Sequence, residues 1–255
     1  MTVVIKPKVL LAMLSVPVLC FSVAHFASQY LKHVEGLHYQ WGLERQFNMV
    51  NEANAPAWYS SMILLLSAAL LTIVALRERE VGGRDVRHWA GLAGIFSYLS
   101  LDEAAQIHEM MTVFDGLHPT GIFFYSWVIV GGLFVGGIGV LYLGFLARLP
   151  METRWLFVLA GGLYVGGALG IEMLESRYQY LSGTWTDLTY ALLVGVEETL
   201  EMSGVILFLY GIASYLARSG ATCSVRFENA QGSVAAPFNL TTQSPSIPAS
   251  DQTAA

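Results

Sequence analysis

The sequence has few charged residues. Only 13% of its 255 residues are charged, against 55% that are hydrophobic, whereas a soluble domain carries about 25% charged residues. This shortage excludes an ordinary soluble protein and indicates a polytopic membrane protein. Basic runs are also absent, so we expect no nucleic-acid partner. The chain has two cysteines, Cys20 in an apolar run and Cys223 in a polar stretch, which predicts neither a disulfide nor a cysteine metal motif.

Long apolar runs predict six membrane-spanning helices. They cover roughly residues 9–31, 56–76, 88–111, 121–146, 155–176 and 188–217. Each run is near the roughly 20 residues that a ~30 Å hydrocarbon core requires. We therefore predict an all-α fold, a polytopic membrane helix bundle with six transmembrane helices, over residues 1–218. Residues 219–255 are rich in Ser, Thr, Ala, Pro and Gln, a composition that predicts a disordered cytoplasmic tail.

Basic residues predict the orientation of these helices. One side of the predicted bundle carries Lys6, Lys8, Arg77, Arg79, Arg84, Arg87, Arg148, Arg154, Arg218 and Arg226, and the other carries Lys32, Arg45 and Arg177. Because loops rich in Lys and Arg stay in the cytoplasm, we expect both termini to be cytoplasmic.

Two consecutive predicted helices share a glycine-rich phrase. Residues 131–137 read Gly-Gly-Leu-Phe-Val-Gly-Gly, and residues 161–167 read Gly-Gly-Leu-Tyr-Val-Gly-Gly. Small residues four apart form a flat groove that lets two helices approach closely in lipid. We therefore expect the fourth and fifth helices to pack tightly against each other.

Acidic residues stand inside the predicted membrane segments. They are Asp102, Glu103 and Glu109 on the third segment, Glu172 and Glu175 on the fifth, and Glu197, Glu198 and Glu201 on the sixth. Each unpaired charge costs at least about 2.5 kcal/mol in hydrocarbon. These acids must therefore be protonated, meet water or share a bound cation.

The predicted topology brings these acids to one half of the membrane. A rise of 1.5 Å per residue places Asp102 about 21 Å and Glu197 about 15 Å across the core, each in its outer half. On each helix the acids share one face, which must point away from lipid. His108 points off the acidic face of its helix, and it can join the cluster only if that helix bends or ends near Ile107.

Carboxylates with a histidine on inward helix faces are typical of di-iron and di-manganese sites in helix bundles. We predict a metal site whose ligands are Asp102, Glu103, His108, Glu109, Glu172, Glu175, Glu198 and Glu201. Glu197 and Glu198 are the candidate catalytic residues, with Glu197 beside the ligands. Such ligands favour iron or manganese, with calcium and magnesium as further candidates, over zinc. The sequence lacks the paired Glu-x-x-His motifs of standard di-iron enzymes.

Three hypotheses follow from the cluster. The first is a metal-dependent oxidoreductase that acts on a membrane lipid or another lipid-soluble molecule and activates oxygen or water. The second is an ion- or proton-coupled transporter, because acids inside membranes commonly mark ion pathways. In the third, the acids are protonated and only hydrogen-bond one helix to another. The oligomeric state stays open.

Three strings resemble an uncharacterised family of bacterial polytopic inner-membrane proteins. They are residues 54–61, residues 97–103 continuing to His108 and Glu109, and residues 197–204. The resemblance covers about residues 50–215. It implies a multi-pass protein of the bacterial inner membrane and carries no known activity.

Overall fold

The computed structural model describes residues 6–38, 42–110 and 119–220. These residues form helices and contain no strand, which confirms the all-helical prediction. The helices are α1 (Pro7–His33), α2 (Leu43–Phe47), α3 (Ala55–Glu80), α4 (Val86–Ala105), α5 (Ile107–Met110), α6 (Trp127–Arg148), α7 (Met151–Val165), α8 (Glu172–Ser182) and α9 (Leu188–Arg218). A 3₁₀ turn spans Gly121–Phe123, and a π-helical segment, Gly166–Ile171, joins α7 to α8. Of the predicted tail, all but Ser219 and Gly220 lies outside the described residues.

Five helical stretches in the described part of the chain are long and apolar enough to cross a membrane. They are Pro7–His33, Ala55–Glu80, Trp127–Arg148, Met151–Ser182 and Leu188–Arg218. The predicted third span, residues 88–111, corresponds to α4, a turn at Gln106 and α5, and it is not among the five. Polar and acidic side chains over its second half lower its apolar character. The fourth span begins at Trp127, not near residue 121, because a 3₁₀ turn occupies the intervening chain.

Side-chain caps explain where two of the long helices begin. Asn54 stands before α3, where its Oδ1 accepts a hydrogen bond from the backbone N–H of Ala57 at 3.1 Å. Asp187 does the same before α9 for the N–H of Tyr190 at 2.9 Å. Such caps satisfy N–H groups that have no partner within the helix.

Helix α9 packs against α1, α3 and α7, and α3 packs along α4. One hydrophobic cluster around Trp89, Phe145, Phe157 and Ile212 joins α3, α4, α6, α7 and α9. A second cluster around Ile63 joins α1, α3 and α9. The buried clusters fix these helices relative to one another, since burial of large apolar side chains is the main stabilising contribution.

Ion pairs of arginine lie at one end of the bundle, which we call the basic end: the loops 81–85 and 149–150 and the end of α9. Arg148 donates from Nε to Oδ1 of Asp85 at 3.1 Å, and this hydrogen bond lowers the pKa of Asp85. Arg218 pairs with Glu152. The opposite end carries the turn before α3, the turn after α4 and the start of α9; we call it the acidic end.

The predicted tight packing of the two glycine-rich helices is wrong. A Cβ added at Gly132, Gly136, Gly161 or Gly162 would meet no atom within 4 Å, so these glycines do not mediate a close approach. Close approach occurs elsewhere, between α7 and α9. A Cβ on Gly204 of α9 would lie 2.8 Å from the carbonyl oxygen of Ala160.

The Gly204 contact yields a stability test. We expect Gly204→Ala to lower the free energy of unfolding by about 1–3 kcal/mol, because the added methyl group overlaps the backbone of α7. The matched control is Gly162→Ala, which adds the same methyl group in open space and should leave stability unchanged or higher. Thermal unfolding in mild detergent measures both. Equal losses from the two variants would contradict this packing.

Candidate functional site

A cavity of about 1220 Å³ opens among the helices at the acidic end; we call it the acidic chamber. Eight acids line it: Glu52, Asp102, Glu103, Glu172, Glu175, Glu197, Glu198 and Glu201. His108 also lines it, and no Lys or Arg is among the described residues that do. The acids come from α4, α8, α9 and the turn before α3, so separate helices supply one concentrated negative charge.

Three of these acids form a compact group, which we call the carboxylate triad: Glu172, Glu175 and Glu197. One carboxylate oxygen from each lies within 4.8 Å of the other two, a spacing that could hold a metal ion. Glu175 and Glu197 are 2% and 7% exposed. The Oε1 atom of Glu175 is buried without a hydrogen-bond partner. A buried carboxylate oxygen without a partner is costly, so it indicates a ligand or proton at this position.

The backbone before α8 explains how the triad forms. The π-helical segment Gly166–Ile171 immediately precedes Glu172, and such segments are frequent at functional sites. A Cβ on Gly167 would lie 2.9 Å from the carbonyl oxygen of Glu197. The absence of a side chain there lets the chain touch α9 just before it delivers Glu172 and Glu175.

A second group forms where α4 ends. Gln106 adopts a left-handed conformation with φ of 56°, which stops the helix and turns the chain back. The backbone N–H of His108 then donates to Oδ1 of Asp102 at 3.0 Å, and His108 Nδ1 lies 3.0 Å from Asp102 Oδ2. Glu52 Oε1 lies 4.0 Å from His108 Nε2. Helix α4 therefore ends just before His108, and this ending allows the His108 side chain to join the acids.

The remaining acids link the two groups electrostatically. Glu198 lines the same chamber as the carboxylate triad and Glu103, so its charge repels theirs. Glu201 lies one turn further along α9 and interacts with Glu198 and Glu103. The acids thus form one electrostatic unit whose parts cannot change charge independently.

The structure brings seven of the eight predicted metal ligands to the acidic chamber. Asp102, Glu103, His108, Glu172, Glu175, Glu198 and Glu201 all line the chamber. The side chain of Glu109 lies outside the described residues. Glu197 was expected beside the ligands, but the structure places it in the carboxylate triad. The roles of these residues as ligands or catalysts stay predictions.

Glu52 also lines the chamber, although the predicted ligand set does not include it. The position of Glu52 depends on a core contact. His25 is fully buried, accepts a hydrogen bond at Nδ1 from the N–H of Met49 at 3.0 Å, and donates from Nε2 to the carbonyl of Ala191 at 2.8 Å. Both ring nitrogens of this buried imidazole are therefore satisfied within the core. It also holds the turn that carries Glu52 over the chamber.

Aromatic side chains form part of the chamber wall. Trp127 donates from Nε1 to Oε1 of Glu172 at 3.2 Å, and its ring lies 5.2 Å from that of His108. The hydroxyl of Tyr125 lies 3.0 Å from that of Tyr190. Trp127 therefore contacts both Glu172 of the carboxylate triad and His108 of the second group. Sequence spacing did not indicate this link.

The chain belongs to the family described as "Domain of unknown function (DUF8692)", whose model matches residues 9–216. This confirms the expected membership of an uncharacterised family. No curated protein and no solved structure matches the chain.

The turn at Gln106 can be tested directly. We expect Gln106→Val to lower the free energy of unfolding by about 1–2 kcal/mol, because β-branched residues resist positive φ. Gln106→Gly is the control and should be tolerated, since glycine adopts this conformation readily. Unfolding in mild detergent measures the difference. Equal stability of the two variants would contradict the left-handed turn.

Proposed function

We propose that this member of the DUF8692 family is a metal-dependent membrane enzyme, an oxidoreductase that acts on a lipid-soluble substrate. The observation that carries the proposal is the carboxylate triad with its buried, partnerless Glu175 oxygen. Glu172, Glu175 and Glu197 are the proposed first cation ligands. Asp102, His108 and Glu52 are a second donor group beside them.

The charge of the chamber supports a bound cation. Neighbouring carboxylates in a medium of low dielectric constant cannot all stay ionised. His108 is the one basic side chain that lines the chamber among the described residues. Protons could neutralise the acids singly, but a divalent cation neutralises two charges and supplies a partner for Glu175 Oε1.

The donor atoms suit particular metals. Carboxylate oxygens with one imidazole suit iron, manganese, calcium and magnesium, whereas cysteine-rich sites suit zinc. Iron and manganese are the candidates that can support oxidation and reduction. We propose one of these two as the cofactor, with Glu103, Glu198 and Glu201 as further acids that ligate the metal or move protons near it. Glu109 stays a predicted ligand.

We also propose a six-span topology with both termini in the cytoplasm of a bacterial cell and the acidic chamber facing the periplasm. Helix α4 would be the sixth span. It packs along α3, where Ser61 and Ser100 exchange hydrogen bonds at 2.8 Å. Its acids face the chamber and not lipid, which accounts for its lower apolar character.

An ion- or proton-coupled transporter is the alternative. The acids on α9 continue inward from Glu197 through Glu198 to Glu201, as a proton path would. However, no acid among the described lining residues continues this path beyond Glu201 toward the basic end, where the lining residues of α4 and α6 are mostly apolar. A proton path would need further polar groups there, so the apolar lining supports the enzyme.

Metal content tests the proposal. We expect the protein purified in mild detergent to hold iron or manganese at about one ion or more per chain. Glu175→Gln should lose most of this metal, because it keeps the shape of the side chain and removes its charge. Glu80→Gln, at the exposed end of α3, is the matched control and should keep it. Elemental analysis measures all three proteins.

The stability of the same variants separates a metal site from repelling acids. Bound metal stabilises the native state by about 2.7 kcal/mol at a hundredfold excess over Kd. Wild type should therefore gain stability on addition of metal, and Glu175→Gln should not. Wild-type protein without transition metal, together with a Glu175→Gln variant more stable than wild type in every condition, would contradict the proposal.

Labelling of single cysteines tests the topology. In a background without Cys20 and Cys223, we expect Thr186→Cys to react with a membrane-impermeant thiol reagent on intact cells. Val81→Cys should react only after the cells are opened, because the loop 81–85 would face the cytoplasm. The reverse pattern would show that the orientation is inverted.

A further inference from the structure

The acidic chamber continues into a second zone of different chemistry. Beyond the acids, the lining residues are Gly91, Gly94, Ile95, Val130, Phe134 and Val135; we call this zone the apolar arm. Its residues come from the facing sides of α4 and α6. One cavity therefore presents carboxylates at one end and hydrocarbon at the other.

Helix α4 sets the length of the arm. Gly91, Gly94, Ile95, Tyr98 and Asp102 line the cavity in turn, at the three- and four-residue spacing of one helix face. The distance from Gly91 to Asp102 along the helix is about 17 Å. The whole cavity of about 1220 Å³ exceeds the usual range for small-molecule sites, about 300–1,000 Å³. These dimensions fit a long chain with a polar end.

Two contacts with α6, one from α4 and one from α5, flank a gap between α4 and α6, which we call the window. At the basic end, Tyr142 donates to the carbonyl of His88 at 3.1 Å. At the acidic end, Trp127 packs on His108. Between these contacts, Phe134 lines the cavity and yet is 47% exposed. The cavity is open and not enclosed, and an opening beside an exposed apolar side chain at this depth of a membrane helix faces lipid, so the arm communicates with the bilayer.

Glycine makes this window wide. Gly94 is exposed, lines the cavity and has no atom within 4 Å of a built Cβ. Most residues at Gly94 would narrow the gap between the two helices. The glycines of α6 at positions 132 and 136 are also open, but they do not line the cavity.

We propose that the window admits one long apolar chain from the bilayer, and that the substrate is an amphiphile with an uncharged, oxygen-bearing head group. The substrate assignment depends on the proposed function, since the head group would reach the acids that hold the metal. No Lys or Arg among the described lining residues is available to pair with an anionic head group. The surplus of carboxylates repels one.

Photolabelling tests this proposal. The probes are hexadecanol and palmitate, each carrying a photoreactive diazirine at the same mid-chain carbon, added to the protein in lipid nanodiscs. After irradiation, peptide mapping should find the hexadecanol label concentrated in two segments, residues 91–98 and residues 130–135. Palmitate, with the same chain and an anionic head, should label these segments about tenfold less.

Variants separate the arm from general lipid contact. Gly94→Trp should abolish labelling of the arm, because the indole fills the window. Gly132→Trp is the matched control, since it places the same side chain on an open glycine outside the cavity, and it should label as wild type does. Val135→Trp, on the α6 wall of the arm, should act like Gly94→Trp and provides a second test if Gly94→Trp does not fold.

Three results would overturn the proposal. The first is uniform labelling of exposed apolar positions such as Met13 and Leu141, which would indicate ordinary contact with bilayer lipid. The second is a cross-link between two copies of the chain through α6, which would make the window a protein interface. The third is equal labelling by hexadecanol and palmitate.

Labelling of Glu175→Gln keeps this test apart from that of the metal. The arm lies away from the triad, so the label should persist at the wild-type level in this variant. Labelled arm residues in a protein that holds no metal would support the chain-binding groove and contradict the metal enzyme. A protein that holds metal but takes no label in the arm would support the metal enzyme and contradict the binding of a long apolar chain.

Discussion

Mutual repulsion between buried carboxylates is the constraint on which the rest of the structure depends. Eight acids line one cavity, and each would lose several kcal/mol of solvation if it remained ionised in a dry site. Such an arrangement persists only if protons or cations compensate the charge. The two tightly buried members, Glu175 and Glu197, are those least able to rely on water. For this reason the carboxylate triad, and not the total number of acids, carries the functional argument.

The fold gathers these acids by means of backbone devices. A π-helical segment and Gly167 bring the start of α8 against α9, and a left-handed Gln106 turns His108 back onto Asp102. The buried His25 holds the turn that carries Glu52. Each device costs some stability or restricts the residue that can occupy its position. Together they assemble a site from parts of the chain that are distant in sequence.

Helix type and the convergence of the acids could be predicted from hydropathy and helical spacing, because lipid forbids an exposed charged face. The number of spans could not, since only five helical stretches among the described residues are long and apolar enough to cross a membrane. Which of the glycines contact a neighbouring helix could not be predicted. The repeated Gly-Gly phrases are alike in sequence, yet only Gly167 touches α9, since contact depends on which face the neighbouring helix covers. The place of Glu197 in the triad was missed for a related reason: the π-helical segment changes the register of α8 relative to α9, and a uniform helical wheel contains no such segment. Glu52 was missed because its turn is held by a tertiary contact.

Anomalous diffraction from crystals grown with manganese tests the central claim most directly. The account predicts a peak in the acidic chamber within about 2.0–2.6 Å of oxygens from Glu172, Glu175 and Glu197. A chamber without any peak, in which these three side chains hydrogen-bond to one another as neutral carboxylic acids, would contradict it.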